Sequence, residues 1–381
     1  MRLRTNLGLG NDETENAAAK RHAETVECAL SRLDLTYEII QSPIKRNRIL
    51  TTKNNIDGFF LHAPNILSDE IAVSTHPLAI ERWFLFSNAG TAPLDNFRDK
   101  PIGAVLGSNE YRWLKEQGYE KIVTAPTMAS IVRMLSRNRI EIALAEETHF
   151  WLTALNLKLK SNAFQQQFIK YAPLVLYFSR NFVNKSPTIV RDFNANIDVC
   201  VTDLLQPSSI EVRRLLALHK KVMLDDANHR NIISLLEKFV RKPIAPAQAK
   251  QLDENWTRAV NQKKTTPTLD QILQNDLSKL LQKIVKSNRD VIAEIFIYDT
   301  EGYILGLDKP TSDFWQGDEA PYRNISQNGY IIHVSDIDFD ESTEKFQIQI
   351  SIPLKKGLKA KAIAYMTIGF DVENALAPNA K

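Results

Sequence analysis

A Gly-Ser turn and a glutamate, each placed directly after an apolar strand pattern, are the residues most suited to hold a ligand. Gly107, Ser108 and Asn109 lead from a strand into a helix, so backbone N–H groups and a hydroxyl stand at the positive end of the helix dipole. That arrangement suits a carboxylate, and its alternative is an ordinary helix cap. Glu146 follows a later strand and suits an ammonium group; its alternative is a solvated loop carboxylate.

Three further residues complete a candidate site. Thr127 opens the next helix as Ser108 opens the first, and His62 follows the strand around Phe59. Arg82 can hold a carboxylate through two parallel hydrogen bonds, with its neighbour Trp83 stacking on the ligand. For Arg82 the alternative is a surface position beside a half-buried strand.

A dense polar and aromatic cluster lies near the C-terminal end. Asp313, Trp315, Asp318 and Glu319 fall within seven residues. As a binding site, the tryptophan forms a wall and the carboxylates accept hydrogen bonds from a cationic or hydroxylated ligand. As a structural element, Asp313 caps a helix and Trp315 packs on a sheet.

Motifs for catalysis and for metal binding are missing from the sequence. It contains no Gly-x-Ser-x-Gly, no phosphate loop and no His-Glu-x-x-His. The seven histidines lack the spacing of metal ligands: 22, 62, 76, 149, 219, 229 and 333. We therefore expect no catalytic residue, no metal and no cofactor. An enzyme acting on a small organic acid remains the alternative, with Glu146 or His62 transferring a proton.

Composition excludes several classes. The 381 residues carry a net charge of +3, with 44% hydrophobic and 24% charged residues. These values are typical of a folded protein and give no general reason to bind nucleic acid. No apolar run is long enough to span a membrane, and the N-terminus lacks the apolar stretch of a secretory signal. Cys28 and Cys200 could form one disulfide or remain as two buried thiols.

The order of elements predicts two kinds of domain. Strand and helix patterns alternate up to about residue 195, which indicates a mostly parallel α/β sheet in two lobes, with strands crossing between them. Residues 200 to about 290 are helical. From residue 291 apolar residues alternate with period two, which predicts a small antiparallel sheet.

The first region resembles type II periplasmic solute-binding proteins of the amino-acid-binding type. The resemblance depends on Asn55–Phe60, Pro77–Ser87, Ile102–Ser108 and Arg139–Glu146. It implies a bilobed α/β fold over residues 1–198, with the ligand in the interlobe cleft. Gly107, Ser108 and Asn109 then hold the ligand carboxylate, and Glu146 holds its amino group. The segment Gly8–Asp12 departs from the family, which has an aromatic-rich segment there.

The last region resembles Cache domains, which are PAS-like extracellular sensor modules. The matching segments are Asp299–Gly302, Ser312–Glu319, Phe339–Thr343, Phe346–Ser351 and Ile363–Gly369. The resemblance implies an α+β fold over 255–377, preceded by a helical connector over 199–254. Leu269 to Ile284 corresponds to the long first helix of that family.

Together these features predict a soluble sensor that captures a small polar ligand, either amino-acid-like or an organic acid or amine. Both families work outside the cytoplasm, so the resemblance implies a periplasmic protein, or a cytoplasmic one if Met1 is the true start. The output partner is expected to be a membrane-bound sensor or a transporter, with no insertion of this chain into the membrane. A scaffold without ligand is a further alternative.

Overall fold

The computed structural model describes residues 1–5, 23–33, 35–42, 44–91, 97–200, 206–223, 226–237, 244, 246–340, 345–357 and 359–376. The chain divides into two compact units, Met1–Leu205 and Gln206–Lys381, which are treated separately. The sequence features at 8–12, 17–22 and 341–343 lie outside the described residues.

The first unit contains a mixed sheet of eight strands among its described residues. They are β1 (Arg2–Thr5), β2 (Glu38–Gln41), β3 (Gly58–His62), β4 (Ala72–Asn88), β5 (Ile102–Val105), β6 (Ile122–Ala125), β7 (Ile142–Glu146) and β8 (Phe164–Ser179). Their order is β2-β1-β3-β8-β4-β7-β5-β6.

Helices connect these strands. They are α1 (helical residues 23–31), α2 (Ile44–Thr52), α3 (Ile66–Asp69), α4 (Asn109–Glu116), α5 (Met128–Ser136), α6 (Glu147–Asn156), α7 (Arg180–Lys185) and α8 (Ile189–Cys200). Short 3₁₀ turns cover Phe97–Asp99 and Ser161–Ala163.

Two long strands join the two halves of this sheet. β1, β2 and β3 pair in parallel on one side, and β5, β6 and β7 pair in parallel on the other. The 17-residue β4 and the 16-residue β8 run antiparallel between them. Pro77 lies in β4 at a shift of register, where the missing N–H is tolerated. The prediction of two α/β lobes joined by crossing strands is confirmed by this pairing.

Each half has its own apolar core. In the first half, Leu3, Phe60, Leu176 and Phe193 are fully buried in one cluster. In the second half, Trp83 of β4 is buried together with Ile102, Leu114 and Leu144, so it is a core residue and is not free to stack on a ligand.

A disulfide bond ties the beginning of the first unit to its end. Cys28 in α1 and Cys200 in α8 are bridged across 172 residues, with a Cα–Cα distance of 5.9 Å. Sequence separation alone left this pairing open, and the fold settles it because α1 and α8 contribute to the same apolar cluster.

The second unit contains an antiparallel sheet. Its strands are β9 (Ile292–Tyr298), β10 (Ile304–Leu307), β11 (His333–Val334), β12 (Asp338–Asp340), β13 (Lys345–Lys355) and β14 (Ala362–Asp371). The order is β10-β9-β14-β13-β11, and β12 pairs with residues 345–347 at the beginning of β13. The predicted change to an antiparallel sheet is confirmed, although the strand expected from Tyr330 begins only at His333.

Helices precede and flank this sheet. They are α9 (Ser209–Met223), α10 (Asp226–Leu236), α11 (Pro246–Asn261), α12 (Pro267–Leu273), α13 (Asp276–Ser287), α14 (Ala320–Tyr322) and α15 (Val372–Leu376). A π-helical turn covers Arg323–Gln327. α9 packs on α15 and α10 on α13.

The long helix expected from Leu269 to Ile284 is wrong, because it is interrupted. α12 ends at Leu273, and the side chain of Asn275 accepts a hydrogen bond from the Ser278 N–H at 2.8 Å, which starts α13. The apolar stripe continues through the break, since Leu269, Leu277 and Ile284 are all buried.

Among the described residues, the search for a helix long and apolar enough to cross a membrane finds none.

Candidate functional site

The carboxyl ends of β3 and β7 approach one stretch of β4 from opposite directions. His62, the last residue of β3, is level with Val175 of β8, which pairs with Pro77 of β4. Glu146, the last residue of β7, pairs with Trp83 of β4. Strand ends that face each other across a crossing strand are a common place for ligands in open α/β sheets. Residues 77–83 of β4 therefore form the floor of the candidate site.

Asn109, at the start of α4, connects the two halves over this floor. Its Oδ1 accepts a hydrogen bond from the Ala63 N–H at 3.2 Å, and its Nδ2 donates to the Leu61 carbonyl at 3.4 Å. Asn109 is buried, and the Arg112 Nη2 donates to the same Oδ1. The amide expected to receive a ligand carboxylate is thus engaged with the end of β3.

His62 and Arg112 form the second connection. The Arg112 Nη1 lies 3.3 Å from the His62 Nδ1, and the His62 side chain is fully buried. Burial, reinforced by the positive charges of Arg112 and Arg48, lowers the pKa of His62 well below its usual value. At neutral pH His62 is therefore uncharged.

Glu116, Glu110 and Glu81 are the carboxylates whose charges act on Arg112. Glu81, Glu110 and Glu146 each accept a hydrogen bond. The Trp83 Nε1 donates to Glu81 at 2.8 Å, the Glu146 N–H donates to Glu110 at 3.1 Å, and the His149 N–H donates to Glu146 at 2.6 Å. Burial and the nearby Glu110 raise the pKa of Glu81 well above its usual value. Burial also raises the pKa of Glu146. The raised pKa values favour protons on Glu81 and Glu146.

The structure places the other predicted ligand residues in different roles. Ser108 caps α4, because its Oγ accepts the Tyr111 N–H at 3.2 Å, and Gly107 is an exposed turn residue with φ +83°. Thr127 is exposed and caps α5, accepting the Ser130 N–H at 3.2 Å.

Arg82 lies between two residues that face the site. Side chains alternate along a strand, and Glu81 and Trp83 are hydrogen-bonded to each other on the face that carries α4. Arg82 is consequently on the opposite face of β4. The site thus brings together His62, Asn109 and Glu146, and places Arg82 elsewhere.

The sequence interpretation missed Glu81, Glu110 and Arg112. Asn109 and Arg112 are three residues apart, so they share one face of α4, and this spacing was the available signal. Charged residues in a short helix are usually solvent-exposed, and the alignment of β3, β4 and β7 that buries these three is set by strand register.

In the second unit, Asp313 and Trp315 hold a loop against α11. Asp313 accepts a hydrogen bond from the Thr257 Oγ1 at 3.2 Å, and the Trp315 Nε1 donates to the Glu301 carbonyl at 2.9 Å. The N–H of Trp315 donates to Asp253 of α11 at 2.9 Å. The two side chains thus have structural contacts, but Asp313 caps no helix among the described residues and Trp315 is exposed, so the structural alternative does not hold in the form expected.

Asp318 and Glu319 are exposed. Burial of part of its side chain and the neighbouring Asp318 and Asp313 raise the pKa of Glu319. Their carboxylates lie at the surface, before α14.

A polar group inside the second sheet was not anticipated. The Ser351 and Thr367 hydroxyls are 2.8 Å apart, and Thr367 Oγ1 lies 3.4 Å from the Tyr298 hydroxyl. All three residues are buried on neighbouring strands. The period-two pattern alone does not predict that these three hydroxyl groups lie close together, because their proximity depends on the register of β13, β14 and β9.

No group of three or more potential metal ligands occurs among the residues that the structure describes.

The strand order and the buried charged site define the first unit as a two-lobed α/β domain with crossing strands. No protein-family model matches the chain, and no curated protein matches it. Solved structures do show similarity to it. A histidine kinase sensor domain with similarity to periplasmic binding proteins is 12% identical with a TM-score of 0.43, covering 52% of this chain and 89% of that chain.

Two other solved structures that resemble this chain come from named bacteria. The substrate-binding protein of an ABC uptake transporter from Streptococcus pneumoniae, with bound histidine, is 12% identical with a TM-score of 0.42; the match covers 53% of this chain and 87% of that one. The VFT2 domain of BvgS from Bordetella pertussis is 13% identical with a TM-score of 0.40; the match covers 53% of this chain and 91% of that chain. These neighbours are binding or sensor domains. The fold described above depends on the strand pairing of this chain alone.

Proposed function

We propose that the first unit captures a small polar molecule where β3 and β7 meet over β4. The observation that carries this proposal is the cluster of buried His62 and Asn109 with half-buried Arg112 and Glu81, which joins the two halves at one place. Buried charged groups cost free energy unless they are paired, so a cluster of them is a candidate functional site.

Capture would depend on movement of the two halves about β4 and β8, the strands that connect them. The hydrogen bonds from Asn109 to the end of β3 belong to a closed arrangement. A ligand that binds between the halves would shift the balance between open and closed forms. The change would be passed to a partner protein, for which a membrane-bound sensor or a transporter is our proposal.

We assign the second unit a sensor role of the Cache type. Its antiparallel sheet and the buried hydroxyls of Ser351, Thr367 and Tyr298 on one sheet face support this assignment. We further propose that the protein works outside the cytoplasm. The Cys28–Cys200 disulfide supports that location, because disulfides persist in oxidising compartments.

A thermal-shift screen of the full chain against amino acids, polyamines and small carboxylates tests the proposal. A ligand at a hundredfold excess over its Kd stabilises the folded state by about 2.7 kcal/mol. A stabilisation that Arg112→Gln abolishes and Asp313→Asn preserves assigns capture to the first unit.

The opposite pattern, with loss only in Asp313→Asn, would move ligand binding to the second unit. Absence of any stabilising compound would favour the scaffold alternative. Turnover of a stabilising organic acid would favour the enzyme.

A further inference from the structure

We propose that the second unit binds an amphiphilic monocarboxylate, a medium-chain fatty acid, in a groove between α11, α12 and the loop after β10. The groove lies wholly within the second unit, so this inference does not rest on the capture proposed for the first unit. Two observations carry it. Aliphatic side chains on the floor of the groove are left partly uncovered by the core, and a pair of lysines lines the same groove.

Helix packing and a hydrogen bond fix the walls of the groove. Its volume is about 790 Å³, which is within the usual range of small-molecule sites. α11 packs on α12. The Trp256 Nε1 of α11 donates to the Thr311 carbonyl at 2.9 Å, which holds the loop that contributes Pro310 to the lining. The cavity is therefore formed by elements that are connected to one another.

Aliphatic side chains form the floor. Val260 of α11 and Leu269 and Leu273 of α12 line the groove, and all three belong to or pack against the apolar cluster that contains Phe296. Leu269 is 3% exposed, whereas Val260 and Leu273 are only partly buried. The core of the second unit thus reaches the surface in this groove. An alkyl chain that lies there would continue the core and remove apolar area from water.

Two adjacent lysines supply positive charge to the groove. Lys263 and Lys264 are exposed, line the groove and follow α11 directly. The Lys263 N–H donates to the Val260 carbonyl at 2.9 Å and the Lys264 N–H to the Ala259 carbonyl at 2.8 Å, so the end of the helix fixes their backbone. Lys263 has φ +53°, a conformation in which glycine is the usual residue after a helix. A charged side chain therefore stands where a helix end usually has none.

The charges that line the groove favour an acid over an amine. Lys263 and Lys264 stand against one carboxylate, Asp270, which already accepts a hydrogen bond from the Thr265 Oγ1. The Lys264 Nζ donates to the uncharged Gln262 side chain at 3.0 Å. The C-terminal end of α11 is partly negative and offsets some of the positive charge. The charge that remains suits one carboxylate and not two.

Charged residues next to the lining do not reverse this balance. Arg258 lines an adjoining groove together with Lys264, which adds positive charge on that side. Asp308 precedes Pro310 by two residues, but its carboxylate accepts a hydrogen bond from the Ile295 N–H of β9 at 2.7 Å. Lys309, between them, acts on that same carboxylate. A fatty acid therefore matches both the floor and the charge of the groove.

Titration calorimetry of the full chain with octanoate, decanoate and dodecanoate tests this proposal, at concentrations below those at which the acids form micelles. We expect saturable binding whose affinity rises about fourfold for each added CH₂ group, because each group buries further apolar area. Octanol and octyltrimethylammonium carry the same chain as octanoate without the acid. Both should bind more weakly than octanoate, and the cation should bind most weakly.

Variants assign the binding to this groove. Lys263→Gln combined with Lys264→Gln should weaken octanoate binding about fivefold and leave octanol binding unchanged. Asp270→Asn should strengthen octanoate binding, because it removes the negative side chain of the lining and keeps an oxygen for Thr265. The matched control combines Lys283→Gln with Lys286→Gln, two exposed lysines of α13, and should leave the Kd unchanged. Near-ultraviolet circular dichroism establishes that each variant is folded.

Tighter binding of octyltrimethylammonium than of octanoate would overturn this inference, as would equal octanoate affinity in wild type and the folded Lys263→Gln, Lys264→Gln variant. Absence of binding by all three acids would also overturn it. If sedimentation then shows a dimer that Leu273→Gln dissociates, the groove belongs to a second copy of the chain. None of these outcomes affects the proposed function, which Arg112→Gln tests in the first unit.

Discussion

At the scale of single residues, Asn109 is the side chain that joins the halves of the first unit most directly. Its amide uses both ends, with the carbonyl oxygen accepting from Ala63 and from Arg112 and the nitrogen donating to Leu61. Because all these atoms are away from bulk water, shortening this one side chain leaves several polar groups unpaired.

Asn109→Ala is therefore expected to lower the free energy of unfolding of the first unit by about 1–3 kcal/mol. Urea unfolding followed by tryptophan fluorescence measures the change, since Trp83 is buried in this unit. Asn156→Ala, at an exposed position on α6, is the matched control and should change stability by less than about 0.5 kcal/mol. Equal effects of the two substitutions would show that the Asn109 bridge does not hold the halves together.

The sequence could identify part of this site. Polar residues after apolar strands reach the carboxyl edge of a sheet, which predicts a site at His62, Asn109 and Glu146, and the structure groups them there. The same pattern does not predict Arg112 and Glu81. Their burial depends on how far β4 slides past β3 and β7, and no local pattern in the chain encodes that register.

At the scale of secondary-structure elements, close packing of α13 on β10 depends on a missing side chain. A Cβ at Gly306 would lie 2.7 Å from the Leu277 Cγ, which is closer than carbon atoms approach without displacement. Leu277 is fully buried, so it has little room to move.

Gly306→Ala should destabilise the second unit by about 1–3 kcal/mol through overpacking. Gly357→Ala is the control, because nothing lies within 4 Å of a Cβ there and φ is not positive. Thermal unfolding of both variants measures the difference. If Gly306→Ala is as stable as Gly357→Ala, α13 does not pack on β10 as closely as described.

Helix α9 carries a buried histidine whose charge state links its packing to pH. His219 is 6% exposed, faces Phe370 of β14, and its Nε2 has no hydrogen-bond partner among the described residues. Burial lowers the pKa of His219 from 6.5 to about 4. Loss of hydration is the cause, so no charge among the described residues compensates a proton on His219.

The unfolded chain therefore binds a proton at His219 below pH 6.5, whereas the folded chain resists until about pH 4. The contribution of His219 to stability is fully present above pH 6.5 and declines as the pH falls, by up to about 3 kcal/mol. Chemical unfolding of wild type and His219→Leu between pH 7 and pH 4 measures this. As the pH falls, wild type should lose stability relative to His219→Leu. A difference in stability that does not change with pH would contradict the assignment.

Element types were predicted more reliably than element limits. The strands at Ile102 and Ile292 follow directly from apolar patterns and turn residues. The interruption between α12 and α13 does not, because the apolar stripe from Leu269 to Ile284 continues through it. The break is indicated by one capping residue, Asn275, and the apolar periodicity is the stronger pattern in the sequence.

At the scale of the whole molecule, the change of architecture along the chain was predictable. Alternating strands and helices predicted a mostly parallel sheet; the sheet is mixed, because β4 and β8 run antiparallel through its middle. Period-two patterns predicted the antiparallel sheet of the second unit. The disulfide between Cys28 and Cys200 was not predictable, because a sequence separation of 172 carries no information about distance in the fold.

The disulfide should stabilise the first unit by about 2–5 kcal/mol, because it restricts the unfolded chain over a long loop. Urea unfolding of the full chain with and without dithiothreitol measures this contribution. The double variant Cys28→Ser with Cys200→Ser should unfold at the lower midpoint in both conditions. A wild-type midpoint that is insensitive to the reductant would show that the bond contributes nothing.

The same bond has a mechanical consequence. If the two ends of the chain are pulled apart, tension passes from Cys28 directly to Cys200 through the sulfur atoms. The residues between them, 29 to 199, stay outside the loaded path. About 600 Å of contour length is thereby withheld from extension. The sheet that carries the candidate site lies almost entirely within this unloaded segment, so only β1, among its described strands, would bear the force.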